Sequence, residues 1–243
     1  GSSFVSSLTS FLAETPSVYQ DSMERRLLTP VYVYALWQPR PESRLERFSF
    51  GLSLNNPYGS GTKWPDGWKG KFISQEFTFN TFFLQPSVSY QLDARWSVGL
   101  GLVYGFGNLY MQRAIPENGP DGAQASVQLS GQGYGLGINA GFFYQANERL
   151  SLGLSYRSRL NMRFRQGEAR FNVPASLEEA YQPLAFTTRI PLPHTLQLGL
   201  SYRPEDRILL ALDVDIDFWG GFDSLRFQLE TPLKALQNYP EAR

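Results

Sequence analysis

The stretch SLGLSYRSRLNMRFR, Ser151 to Arg165, decides how the whole chain is read. Taken in alternation it yields Leu152, Leu154, Tyr156, Ser158, Leu160, Met162 and Phe164 on one side. The other side carries Ser151, Gly153, Ser155, Arg157, Arg159, Asn161, Arg163 and Arg165. Side chains of a β-strand point alternately to two faces. The stretch therefore predicts a strand with one greasy face and one face bearing four arginines.

The same period of two recurs along the chain. WSVGLGLVYGFGNLYMQR sets Trp96, Val98, Leu100, Leu102, Tyr104 and Phe106 against Ser97, Gly99, Gly101, Val103, Gly105 and Gly107. YGLGINAGFFY, TLQLGLSY, ILLALDVDIDFW and FSFGLSLNN divide in the same way. These are strand patterns and not helical ones. They place about nine strands near 3–12, 29–38, 46–56, 71–91, 94–113, 126–146, 149–173, 187–203 and 207–230. Turns at 38–47, 91–95, 145–149 and 202–207 are short and polar. Connections at 55–71, 114–124 and 167–189 are longer.

Short turns at one end and long loops at the other, joined by long alternating strands, give an all-β fold class: a transmembrane antiparallel β-barrel. Trp96, Tyr110, Tyr134, Tyr144, Tyr156 and Tyr202 stand near the ends of the greasy faces, as interfacial girdles do. The second faces are rich in Gly and Ser, which suits a crowded, curved interior. A soluble β-sandwich is the alternative, with the greasy face as its core and the arginines in water. On the barrel reading the leucines meet lipid and the arginines face the lumen. Asp213, Asp215 and Asp217 form an acidic row two strands further along. They are expected to join Arg157, Arg159, Arg163 and Arg165 in a lumenal charge network, or else to face a wet lumen singly.

Composition removes several classes of function. The 243 residues contain 22 basic and 22 acidic side chains, so no bulk charge directs the chain to nucleic acid. Cysteine is absent, which excludes disulfides and thiolate metal sites. His194 is the only histidine and has no clustered partner in sequence, so neither a catalytic triad nor a histidine metal site is expected. The glycines of GLGLVYGFG recur on one strand face with no helix after them, so a dinucleotide loop is not expected either. The reading is of a protein that is no enzyme and needs no cofactor or metal.

Five blocks in order carry a family resemblance: NNPYGSGTKWPDGWKGKF, QPSVSYQLDARWSVGLGLVYGFGNLYMQRAI, GYGLGINAGFFYQANERLSLGLSYRS, FTTRIPLPHTLQLGLSYRP and LALDVDIDFWGGFDSLRF. Together they resemble the FadL-type outer-membrane transporters (OmpP1/FadL/TodX), with loops similar in style to members from Bacteroidetes-like bacteria. The resemblance implies a bacterial outer-membrane location and a fourteen-stranded barrel plugged by an N-terminal hatch. Residues 1–243 would then be a single partial barrel domain, with the hatch and the last strands missing. It also implies ligand-gated diffusion of long-chain fatty acids or other hydrophobic small molecules, with lateral exit through the wall. Outer-membrane lipid and lipopolysaccharide would surround it. The alternative is a barrel subunit of a protein-secretion system of type IX style, with a protein partner.

The resemblance assigns residues as well. Arg113, late in the fifth strand, matches an arginine suited to a fatty-acid carboxylate. Its parity also places it on the Gly/Ser face, where a guanidinium can donate two N–H groups together. An arginine at the barrel rim facing water is the alternative. Leu109, Met111, Phe143, Phe171, Leu184 and Phe186 are the expected apolar contacts of the ligand. Exposed apolar residues in 167–193 suggest a capture surface, and ASLEEAYQ a short helix with Ser176 as N-cap. Asn55, Asn56, Pro57, Tyr58 and Gly59 would form the lateral gate. Pro57 has no N–H for a ladder, although an ordinary strand end would look similar.

Overall fold

In the computed structural model of the chain, residues 21–25, 30–118, 124–221 and 224–230 are described. The expected strand at 3–12 lies outside them. Twelve strands form one antiparallel sheet. They are β1 (Tyr32–Trp37), β2 (Phe48–Asn55), β3 (Gly59–Lys63), β4 (Glu76–Gln91), β5 (Trp96–Asn118) and β6 (Gln124–Asn147). The second half continues with β7 (Leu150–Arg157), β8 (Leu160–Asn172), β9 (Leu184–Leu192), β10 (His194–Glu205), β11 (Ile208–Phe218) and β12 (Phe227–Leu229).

Several of these are segments of one wall strand. β2 and β3 both lie along β4; β7 and β8 both lie along β6; β9 and β10 run beside β8 and β7. β12 and β11 then flank β9 and β10. Among the described residues the wall is open, with β1 and β11 unpaired on their outer sides.

The short turns are built from their own side chains. Asp93 Oδ1 accepts from the N–H groups of Arg95 and Trp96 at 2.7 and 2.9 Å. Asn147 Oδ1 does the same for Arg149 and Leu150 at 2.9 and 3.0 Å. Asx side chains that mimic a backbone turn fix a tight reversal.

The outer face is the greasy one. Leu100 and Leu136 are each 64% exposed, with Ile138, Leu154 and Leu198 beside them in the ladder. A continuous apolar surface of this kind is a membrane face, not the core of a sandwich. The outward run from Trp96 to Phe106 matches the ~9–11 residues a tilted strand needs to cross a bilayer. Trp96 stacks on Tyr144 with ring centroids 3.8 Å apart at the short-turn end. Tyr134 and Tyr156 mark the other end. β5 and β6, with 23 and 24 residues, therefore rise well beyond the bilayer on the long-loop side.

Three irregularities change which face a residue occupies. Arg157 shares a row with Asn139 of β6, but Arg163 shares one with Tyr134, so one extra residue is inserted at Ser158–Arg159. A one-residue slip moves every following side chain to the opposite face. Ser158 stabilises the bulge by accepting the Ile138 N–H on its Oγ at 2.9 Å. β9 and β10 accommodate the same shift at Pro193. A second bulge at Arg165–Gln166 restores the original parity. A third lies between Asn55 and Gly59, which are paired with Phe83 and Asn80.

The expected single strands 149–173 and 187–203 are thus each two strands, and the face assignment inverts over 160–165. Leu160, Met162 and Phe164 point inward, all at most 1% exposed. They join Phe79, Phe83, Val103, Leu109, Ile190 and Leu192 in an apolar interior cluster. Full burial of such side chains stabilises by ~1.5–3 kcal/mol each. The inner glycines make room for them. A Cβ on Gly133 would sit 2.6 Å from the Phe164 ring, and one on Gly135 2.6 Å from Leu160.

Candidate functional site

The inner face carries two layers. The lower one centres on Arg157, whose Nη2 donates to Thr195 Oγ1 at 2.9 Å and to Tyr58 Oη at 3.0 Å. Thr195 donates in turn to Asp217 Oδ1 at 2.6 Å. The Arg157 guanidinium also lies 5.6 Å from the centre of the Tyr58 ring and 5.5 Å from that of Phe83. Two hydroxyl acceptors, two ring faces and a carboxylate one hydrogen bond further on offset the desolvation of this half-buried guanidinium.

Of the expected charge network, Arg157 and Asp217 are brought together, through Thr195. Asp215 accepts from Gln197 Nε2 at 2.6 Å, and Asp213 stands opposite Gly199. Arg159, Arg163 and Arg165 are not part of it. Arg163 and Arg165 follow the bulge onto the outer face, and Arg159 lines the same outer depression. Glu168, on the same strand, pairs with Arg170 at 2.8 Å. The Arg170 guanidinium holds the Glu168 carboxyl below its usual range.

The upper layer holds the expected ligand residues. Leu109, Met111 and Arg113 point inward along β5. Leu109 is buried, Met111 packs against the apolar cluster, and Arg113 is exposed above them. Arg113 shares its row with Val127 and Phe171, and Met111 shares its row with Leu129, Ala169 and Leu184. Phe186 lies one row lower, over Gly167, with its ring edge-to-face against Phe227 at 5.2 Å. Six of the seven expected contacts therefore surround the inner mouth. Phe143 does not. It faces inward beside Ser97 and Gly153, near the short turns, about 50 Å of extended strand from the Arg113 row.

The region 167–193 is less of a loop than its composition implied. Phe171, Leu184 and Phe186 are strand residues. ASLEEAYQ forms a single 3-10 turn, Ala175–Leu177, whose N-cap is Pro174 with no side-chain cap bond, in place of a helix capped by Ser176. The long connection expected at 55–71 contains β3, and the loop itself runs over 64–75. There Trp64 stacks on Trp68 at 4.5 Å, Ile73 is 80% exposed beside Phe72, and the Lys71 carbonyl accepts from Ala114 N–H at 2.9 Å. The tryptophan pair in KWPDGWKGK was the available signal that this loop folds onto itself.

At the expected gate, β2 stops at Asn55 and β3 begins at Gly59. Asn56 Oδ1 accepts the Val31 N–H at 2.7 Å where the β1 ladder ends. The Tyr58 carbonyl accepts from both the N–H and the hydroxyl of Thr81, at 3.0 and 2.7 Å. These bonds replace the ladder that Pro57 cannot extend. They turn Tyr58 inward, against Phe83 and Trp219. No cluster of His, Cys, Asp and Glu able to hold a metal occurs among the described residues.

An antiparallel wall with a lipid-facing exterior and an apolar, arginine-topped interior defines an outer-membrane barrel. The family described as outer membrane protein transport protein (OMPP1/FadL/TodX) matches residues 33–241, and the chain belongs to it. The family is one of transport proteins of the outer membrane, not of enzymes. A long-chain fatty acid transport protein of Salmonella typhi is 25% identical over 159 residues, covering 59% of this chain and 36% of that protein. A 47 kDa outer membrane protein of Pasteurella multocida is 26% identical over 203 residues, covering 74% and 47%. The chain thus spans between a third and a half of the length of these relatives.

Solved structures support the fold. A Pseudomonas aeruginosa FadL homologue superposes with a TM-score of 0.71 at 17% identity, over 82% of this chain and 50% of that one. The Pseudomonas putida toluene transporter TodX gives 0.57 at 17% identity, over 84% and 58%.

Proposed function

We propose that the chain forms part of an outer-membrane channel that passes hydrophobic small molecules by diffusion, and that long-chain fatty acids are among them. The observation that carries this reading is the placement of Arg113. An exposed guanidinium stands beyond an inward-facing apolar cluster that includes Leu109 and Leu192, with Met111 and Tyr58 packed against it. A carboxylate would take the guanidinium by paired N–H donation. The acyl chain would lie along the half-buried Met111 and Leu184, above the packed cluster.

The relatives support the substrate class in two ways. The Salmonella protein is named for long-chain fatty acids and the Pseudomonas putida protein for toluene. Hydrophobicity is common to both, and Arg113 favours the acid. The break at Asn55–Gly59 supplies an exit on the same reading. Tyr58 closes it from inside through Arg157, and withdrawal of Tyr58 would open a path into the bilayer beside β1. No step makes or breaks a covalent bond, so neither a cofactor nor a metal is invoked.

The test is comparative binding to the protein in detergent micelles. Arg113→Ala is expected to weaken a long-chain fatty acid by about tenfold or more, while an uncharged hydrocarbon binds as before. Equal losses for the two ligands would remove the carboxylate role. Tight co-purification with a protein and no enriched lipid would favour a secretion subunit instead.

A further inference from the structure

The bulge at Ser158–Arg159 turns Arg163 and Arg165 onto the outer face. Arg163 of β8 and Arg189 of β9 are direct cross-strand partners on the outer face. Like charges in that relation destabilise a sheet. Arg226 extends the row onto the segment entering β12, anchored where Thr188 Oγ1 donates to its carbonyl at 2.7 Å. Arg165 and Arg159 join these three around one open depression of about 890 Å³. All five are exposed.

Among the described residues, the neighbours of the group leave its charge uncompensated. Arg189 Nε donates to Asn161 Oδ1 and Arg226 Nε to Ser224 Oγ, each at 3.0 Å, both neutral acceptors. Arg165 lies 6.0 Å from the centre of the Tyr134 ring. No carboxylate lines the depression among the described residues. Arg170, further along β8, is engaged by Glu168 and is not part of the group.

The height of the group bears on the kind of anion it could meet. Tyr134 is the cross-strand partner of Arg163. Below Tyr134 on the same face run Leu136, Ile138, Leu154 and Leu198, the lipid-facing band. The group therefore lies immediately above the hydrocarbon, on the side of the long loops, which is the outer leaflet in barrels of this layout. Guanidinium forks bind phosphate by paired, charge-assisted donation. A free phosphate ion would use the arginines alone. A phosphorylated lipid would use the arginines and the apolar wall beneath them together.

We propose that Arg159, Arg163, Arg165, Arg189 and Arg226 form an external binding site for the phosphorylated headgroup of an outer-leaflet glycolipid, whose acyl chains lie on the wall below. The site is separate from the inner face and does not rest on the transport reading. It also accounts for a repulsive Arg163–Arg189 pair on adjacent strands, because a bridging phosphate turns the repulsion into two attractions.

The test is native mass spectrometry of the protein extracted from outer membranes in mild detergent, with folding confirmed by the heat-dependent gel shift of a closed barrel. The wild type should retain the phosphorylated glycolipid. The R163Q/R189Q double variant should retain it at least ~10-fold less, given the strength of charge-assisted bonds. A second arm uses the wild type alone, reconstituted with the same glycolipid before and after enzymatic removal of its phosphates, so a variant that fails to fold does not decide the matter. Only the phosphorylated form should be retained. Equal retention of both forms, or unchanged retention by a folded double variant, overturns the site. Displacement of the glycolipid by millimolar inorganic phosphate overturns the lipid assignment and leaves a site for free phosphate.

Discussion

The Arg157 guanidinium donates to the Tyr58 hydroxyl at 3.0 Å, joining strands 99 residues apart across the inside of the wall. Tyr58 belongs to the interrupted segment between β2 and β3, and Arg157 to the last position before the β7–β8 bulge. The two irregular places in the wall are thus tied to each other. Tyr58→Phe keeps the ring contacts with Phe83 and Trp219 and removes only this acceptor. The loss expected for a bond to a charged group is about 1.5–3 kcal/mol. It should appear as a lowered urea midpoint in lipid or detergent, and an unchanged midpoint would show that the bond contributes nothing.

Deleting Ser158 removes the extra residue that inverts the faces. Leu160, Met162 and Phe164 would then turn outward, and Arg163 and Arg165 inward. Replacing the apolar interior with two unpaired guanidiniums should abolish folding, read as loss of the heat-dependent gel shift. Arg159→Ala keeps the residue count and should fold. Equal folding of both variants would contradict the bulge.

Gly167 lies under the Phe186 ring so closely that a Cβ would overlap it. Phe186 is fully buried, so its ring is held by its neighbours. Gly167→Ala should therefore destabilise the barrel by about 1–3 kcal/mol, as overpacking does. Pairing it with Phe186→Leu should recover part of that loss, the coupling expected of residues in contact. Strictly additive effects in a double-mutant cycle would sink this packing.

Much of the fold was legible because β5, β6, β7, β10 and β11 alternate without fault over their membrane spans. Trp96 to Phe106 and Leu150 to Tyr156 show their faces from parity alone. Parity counts residues, however, and cannot see an inserted one. The sole cue was Ser158, the one polar residue in an otherwise greasy register, standing where Tyr156 already marks the edge of the bilayer. Reading through it put Arg163 and Arg165 inside. The Arg113 rows were legible for a similar reason, since β5 is regular up to that point. Phe143 has the right parity but the wrong height, and height follows from register between strands. The outer arginine row needed Arg189 and Arg226 placed beside Arg163, which only the ladder reveals.

The most direct measurement is isothermal titration of the wild type and Arg113→Ala, each with a long-chain fatty acid and with a hydrocarbon of matched length. The account predicts a loss of about tenfold or more for the acid alone. A variant that binds both as the wild type does, or loses both equally, would contradict it.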